Sequence, residues 1–186
     1  MSASPILRDV ARARKEHWGD DDDGFTFERP GERVDVFVYR SSGEIPMTTL
    51  ATVGMASRTM PGTAERAELH LTRRGRVSPA EENAIAVQLA NLASHPWATK
   101  TAFARGHLIG LQRELPTFLG CHAVFLCGPF VEGGWDSIDT AEGTVRLLNV
   151  VPITEAERIH ARHMTPAAFL SALMAGTDIF IGRPSA

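Results

Sequence analysis

His70, His107 and His122 are the side chains whose types most directly suggest chemistry. Each lies in a different apolar, strand-like run, and three imidazoles meeting in space would hold zinc or iron for hydrolysis. Strand histidines more commonly make cross-strand polar contacts, so a metal-dependent hydrolase is the alternative reading. Glu157, His160 and His163 form a second set on one helical face. A Glu-x-x-His pair is half of a di-iron carboxylate site, but the other half needs a second pair and two further glutamates. No second copy exists, and Arg158 and Arg162 would crowd the site with positive charge, so a solvated helix face is expected.

Other constellations fall short on geometry. Cys127 could be a nucleophile with His122 as base, but five residues along a strand put the two on opposite faces. Cys121 and Cys127 are the only thiols. Their even spacing puts both side chains on one face of the strand, too far apart to bond, so they read as small buried hydrophobes. Asp21, Asp23 and Gly24 invite a calcium loop. With Gly24 at the sixth position, however, Gly19 and Pro30 fall where carboxylates are required. Nucleophile-elbow, phosphate-loop and dinucleotide-binding glycine patterns are all missing. The expectation is a protein that is not an enzyme and needs no cofactor or metal.

Loop and helix-end aromatics offer a different chemistry, that of a protein interface. Trp97 follows His95-Pro96, Trp135 sits between glycines and Asp136, and Phe103 completes the set. Core capping is the competing reading, strongest for Trp97.

The elements that must position these residues are legible. Ser4-Pro5, Ser78-Pro79 and Thr165-Pro166 each set a capping oxygen before a proline at the first helical position. The spacing predicts helices over 5–18, with Ile6, Val10 and Ala13 inward, from 79 to about 94, and over 166–175, burying Phe169, Leu170 and Leu173. Ser78/Glu81 and Thr154/Glu157 are capping boxes. Strands are expected around Phe25 and Phe27, at Val34, Val36 and Val38 alternating with Asp35, Phe37 and Tyr39, and over 48–55, 67–72, 107–111 and 123–127. A further run, Val145, Leu147, Val150 and Val151, is expected to stop at Pro152. Residues 129–143 read as a Gly-rich loop. Strands punctuated by a few helices predict an α+β fold with a central, mostly antiparallel (mixed) sheet flanked by helices.

Composition narrows the partners. The 186 residues fit one domain, and a 44% hydrophobic content supports a real core. Nineteen basic against 22 acidic residues leave a net charge of -3 and no basic stripe, so nucleic acid is an unexpected partner. No apolar run is long enough to span a membrane and no signal-peptide pattern opens the chain, so a cytoplasmic location is expected.

The order of short motifs resembles the suppressor of fused family. The apolar strand, Pro152-Ile153-Thr154 corner and acidic helix start are similar to the close of that family's domain. Thr52-Val53-Gly54-Met55-Ala56-Ser57 before Met60-Pro61, Glu65-Arg66-Ala67-Glu68-Leu69-His70-Leu71, Gly106-His107 and Arg183-Pro184-Ser185 add to the likeness. It spans residues 33–186, with 1–32 as an N-terminal helix and acidic turn of the same domain. The resemblance implies non-catalytic protein binding, with strand addition as the chemical mode. Animal members have a second domain and clamp a transcription-factor peptide between the two. Gly106 stands here where they carry an acidic residue, and Leu92 stands in place of a tyrosine. Single-domain bacterial members imply an immunity protein that occludes a toxin domain. Trp97, Phe103, His107 and Trp135 are the expected partner-binding residues.

Overall fold

Local chain chemistry sets where each helix begins. The computed structural model describes residues 4–183. Within them the order is α1 (Pro5–Trp18), β1 (Asp23–Arg29), β2 (Glu32–Ser41), β3 (Met47–Val53), β4 (Arg66–Arg74), α2 (Pro79–Thr99), β5 (Leu108–Gly110), β6 (Ala123–Cys127), β7 (Ser137–Thr140), β8 (Gly143–Ile153), α3 (Glu155–Ala161) and α4 (Pro166–Gly176). Both capping boxes form: Ser78 N–H donates to Glu81 at 2.7 Å, and Thr154 N–H to Glu157 at 2.7 Å. Thr165 Oγ1 accepts the Ala168 N–H at 3.3 Å. Ser4 differs, since its side chain makes no cap bond to α1.

Three expectations need correction. α2 does not stop near Ser94 but runs through Pro96 to Thr99, so Trp97 lies inside its last turn. An interior proline near a helix end forfeits one backbone bond. Burial of Pro96 and packing of Trp97 against the core offset that loss. Nor does Pro152 end the β8 ladder, because it pairs in register with Val124. Its carbonyl accepts from Arg183, so the missing N–H also points away from β6, where no ladder bond is lost. Finally, the supposed loop over 129–143 contains β7, which pairs with the start of β8 as a hairpin.

The eight strands form one mixed sheet in the order β1-β2-β3-β4-β8-β6-β5, with β7 beside the first residues of β8. Only β4–β8 is parallel among these pairings; the rest are antiparallel. Strand alternation splits the side chains between two faces. On one, Val34, Val36, Val38, Leu50 and Leu69 pack under Ile85 and Leu89 of α2. On the other, α1 covers Val53, Val145 and Leu147, while Phe169 and Leu173 of α4 cover Phe125, Val151 and Ile153. His70, in the row that pairs with Ala51 and Phe37, and the row Tyr39, Thr49, Thr72 lie on this second face beside the end of α1.

Candidate protein-binding site

The end of α1 lays a shelf of aromatic side chains on that second face. Trp18 stands 4.9 Å from Tyr39 and 4.8 Å from His70 between ring centroids. Trp135, from the turn before β7, meets Trp18 edge-on at 5.4 Å and stacks on His17 at 4.2 Å. Four separate stretches of chain thus build one surface: α1, β2, β4 and the segment entering β7. Trp18 and Trp135 are half-buried and His17 is exposed, an arrangement of apolar bodies with reachable edges.

Beneath the shelf, a buried polar network fixes α1 to the sheet. Arg14 is 0% exposed and donates to the Thr52 carbonyl and to His70 Nε2 at 3.1 Å. A guanidinium can only donate, so His70 accepts at Nε2 and carries its proton on Nδ1. Glu68, equally buried, accepts from Thr52 Oγ1 at 2.6 Å and from the N–H groups of Gly54 and Ala56 at 2.9 and 3.0 Å. Burial pushes the Glu68 carboxyl up from its ordinary range, against the pull of the Arg14 charge and these three bonds. It also holds the His70 imidazole well below its ordinary value, helped by the charges of Arg14 and His17. Arg14 Nε alone has no hydrogen-bond partner among the buried polar atoms of the described residues. The network gives the shelf a rigid footing, since a half-paired charge at this depth is costly to move.

The sequence-derived candidates separate in space. Trp135 joins the shelf. Trp97 lies with the α2-side core, its ring covered by the Arg58 guanidinium 3.9 Å from the centroid. Phe103 is only 3% exposed and packs in that core, so its ring is not offered as a surface anchor. His107 is half-buried in a cleft of about 280 Å³ with His95, Thr99 and Thr101, and its Nδ1 accepts the Ala104 N–H at 3.3 Å. His70, His107 and His122 do not converge. His70 is under α1, His107 on the α2 side, and His122 is exposed 3.7 Å from Glu114. Among the described residues, no three His, Cys, Asp or Glu side chains group to hold a metal ion. α3 ends at Ala161, so His163 falls outside the helix that was to align it with Glu157 and His160.

Both cysteines are free and buried, but they do not share a face. Cys121 precedes β6 and packs with the α2-side core, whereas Cys127 packs with Phe125 and Phe169. Burial pushes the Cys127 thiol up to about 12. Pro184 and Ser185 of the Arg-Pro-Ser ending lie outside the described residues. Sequence reading passed over His17, Trp18, Tyr39 and Arg14 as site residues. The signal available was modest: an apolar stripe in α1 that ends on an aromatic residue.

Fold and site together define an α+β domain with a mixed, open-edged sheet and a braced aromatic surface. Residues 30–184 match the suppressor of fused protein family, and the chain belongs to that family. Comparison with curated proteins returns no match. Among solved structures, the chain is similar to a suppressor of fused homolog from Neisseria gonorrhoeae FA 1090, with a TM-score of 0.69 and 19% identity over 96% of this chain and 95% of that one. It is also similar to a chain of the Sufu–Fu complex, at 0.63 and 13% over 89% and 81%. Drosophila Suppressor of Fused matches at 0.61 and 13% over 90% of this chain, which spans 45% of that protein. At these identities the structural likeness concerns the fold.

Proposed function

We propose that this chain is a non-catalytic protein-binding domain, and more narrowly a cytoplasmic immunity protein that occludes the active site of a toxin domain. The observation that carries the binding reading is the braced shelf of Trp18, Trp135 and His17. Trp and Tyr anchors on a rigid support are what protein interfaces concentrate their energy in. Family membership supports it, and one relative of the same fold is named in complex with another protein, Fu. The sheet supplies a complementary device. Among the described residues β1 has a neighbour on one side only, and it is seven residues long, enough to accept an added strand. Occluding an active site takes about 800 Å² of each partner's surface, a patch that a shelf and one sheet edge can supply together. His107 in its own cleft and Trp97 beneath Arg58 are secondary contact points in this reading.

The test is affinity capture on the tagged chain, followed by mass spectrometry and metal analysis of the same sample. A stoichiometric protein that co-elutes in size exclusion, and whose toxicity to cells is abolished by co-expression, is the expected result. Absence of any stoichiometric protein, together with tightly bound zinc, would overturn it in favour of a hydrolase. That rival gains nothing from the histidines, which stand apart in the folded chain.

A further inference from the structure

β1 ends the sheet, and its free edge is self-complementary. Among the described residues no strand lies beyond it, and its seven residues exceed the three of β5 at the opposite end. Sheet edges are commonly guarded by charge, proline or a bulge. The middle of β1, Gly24-Phe25-Thr26-Phe27, has none of these: it is uncharged and pairs with β2 residue for residue. Phe25 and Phe27 stand opposite Val36 and Val34 on the face that α2 covers, yet both stay only half-buried. β2 and α2 cover them from within the sheet, and nothing among the described residues covers them from beyond the edge.

The charges of β1 stand toward its ends. Asp23 and Arg29 share the face of the two phenylalanines, since strand side chains alternate. Arg29 is exposed, donates to the Asn91 side chain of α2, and pairs with no carboxylate among the described residues. Asp23 is exposed as well; it accepts the Gly24 N–H at 2.8 Å and lies 3.7 Å from Arg40, which Glu82 holds more closely.

We infer that β1 pairs antiparallel with β1 of a second copy of this chain, about a two-fold axis through Thr26. Register decides the occupant. A pairing that keeps both α2 helices on one side of the joined sheet sets odd-numbered residues against odd ones. Centred on Thr26, it sets Asp23 against Arg29 and Phe25 against Phe27, each twice, with Gly24 against Glu28. Centred on Phe25, it would set Asp22 against Glu28 and Asp23 against Phe27; centred on Phe27, it would set Phe25 against Arg29. Only the Thr26 register matches opposite charges and pairs aromatics, two kinds of cross-strand pair that stabilise a ladder. Arg29 then gains the carboxylate it lacks, and four phenylalanines cover one another between the two helices. A seven-residue ladder is small beside the roughly 800 Å² per partner of a standard interface, so the dimer forms and parts with concentration. It goes beyond the protein-binding reading and competes with it, since an edge held by a second copy is closed to a strand from another protein.

The experiment is sedimentation equilibrium of the full chain from about 5 to 500 µM, with a charge swap across the axis. The expected mass rises from 20.2 kDa toward twice that value. Asp23→Arg and Arg29→Asp should each weaken association about tenfold, because either one sets like charges opposite each other at two places. The double variant restores an opposite-charge pair and should recover the parental affinity. Cross-linking gives a second readout that does not depend on these charges. Thr26→Cys places a thiol opposite its own copy, within disulfide reach, whereas two copies of Glu28→Cys stand roughly 14 Å apart along the strands. Both native thiols are buried, so the new one alone is exposed, and mild oxidation should link Thr26→Cys at least tenfold faster than Glu28→Cys. A mass near 20.2 kDa at every concentration, a dimer indifferent to the reversals or not restored by the double variant, or equal cross-linking at 26 and 28 overturns the inference. A strict monomer that still captures a partner protein would overturn it while leaving the protein-binding reading intact. A dimer that captures no partner would do the reverse.

Discussion

Arg183 donates its Nε to Oε1 of Glu157 at 3.0 Å, while Oε2 of the same carboxylate closes the α3 capping box on the Thr154 N–H at 2.7 Å. One carboxylate thereby ties the end of the chain to the start of a helix. Arg183 is 7% exposed and also donates to the carbonyls of Pro152 and Ile181 at 3.1 and 2.7 Å. Arg183→Ala would leave those carbonyls and Oε1 of Glu157 without this partner together, with an expected loss of about 2–4 kcal/mol. Glu157→Gln keeps a cap-competent side chain and removes only the charge, so about 1 kcal/mol is expected. Urea unfolding of both variants checks the order; a Gln variant as weak as the Ala variant would contradict it.

His70 makes stability depend on pH in a stated direction. Its folded-state pKa is depressed, chiefly by burial, so below about 6.5 the unfolded chain takes up a proton that the folded chain does not. The unfolded state then binds more protons, and stability falls as pH falls through that window by up to about 1.4 kcal/mol per pH unit. The contribution is fully present above the unfolded value. His70→Gln retains an acceptor toward Arg14 without a proton to gain. Chemical denaturation of both proteins between pH 7 and 5 should therefore show a shallower slope for the variant. Parallel slopes would mean that Arg14 and burial do not hold the imidazole neutral.

Gly54 sits at φ +144°, where β3 turns into the short helical turn at Met55–Ser57. A Cβ there would lie on the Arg33 carbonyl oxygen and 2.9 Å from Val34 Cα, both backbone and unable to swing aside. The same residue's N–H is one of the three bonds to Glu68. Gly54→Ala therefore combines a strained conformation with a steric clash, and a loss above about 3 kcal/mol is expected. Gly19 is the control. It has φ +87° but open space around it, so Gly19→Ala should cost only about 1–2 kcal/mol. Thermal melts of the pair separate conformational strain from collision.

The contrast between these positions shows what the sequence could reveal. Capping boxes at Ser78 and Thr154 and the alternation of Val34, Val36 and Val38 are local, so they survive without knowledge of the fold. β7 escaped because Ser137-Ile138-Asp139-Thr140 is short and carries one buried apolar residue; its pairing with β8 makes it a strand. Arg14 reads as a surface cation, and only the placement of Glu68 and His70 beneath α1 explains its burial. The shelf joins residues 17, 18, 39, 70 and 135, a juxtaposition set by β2–β3–β4 pairing and by the seat of α1. Trp135 was found as a loop aromatic, but its neighbours were not. Phe103, in the connection between α2 and β5, is only 3% exposed, and a phenylalanine in such a connection looks the same in sequence whether it points inward or out.

Cys127 gives a direct test of whether the chain holds a latent nucleophile. Its thiol is pushed up to about 12 by burial among Phe125, Phe169 and Leu173, only partly offset by the Arg105 charge. At pH 8 the thiolate fraction is then on the order of 10⁻⁴, and the thiolate is the reactive species. Access is closed as well, since Cys127 is 3% and Cys121 0% exposed. Native protein should thus release almost no chromophore from an aromatic disulfide reagent within minutes. Protein in guanidinium should release two equivalents, one for each cysteine. Slow labelling that tracks unfolding would be consistent with a structural role, because reaction then waits on opening. Rapid modification of one thiol in the folded chain, abolished by Cys127→Ser, would instead restore Cys127 as a candidate nucleophile and count against a purely non-catalytic domain.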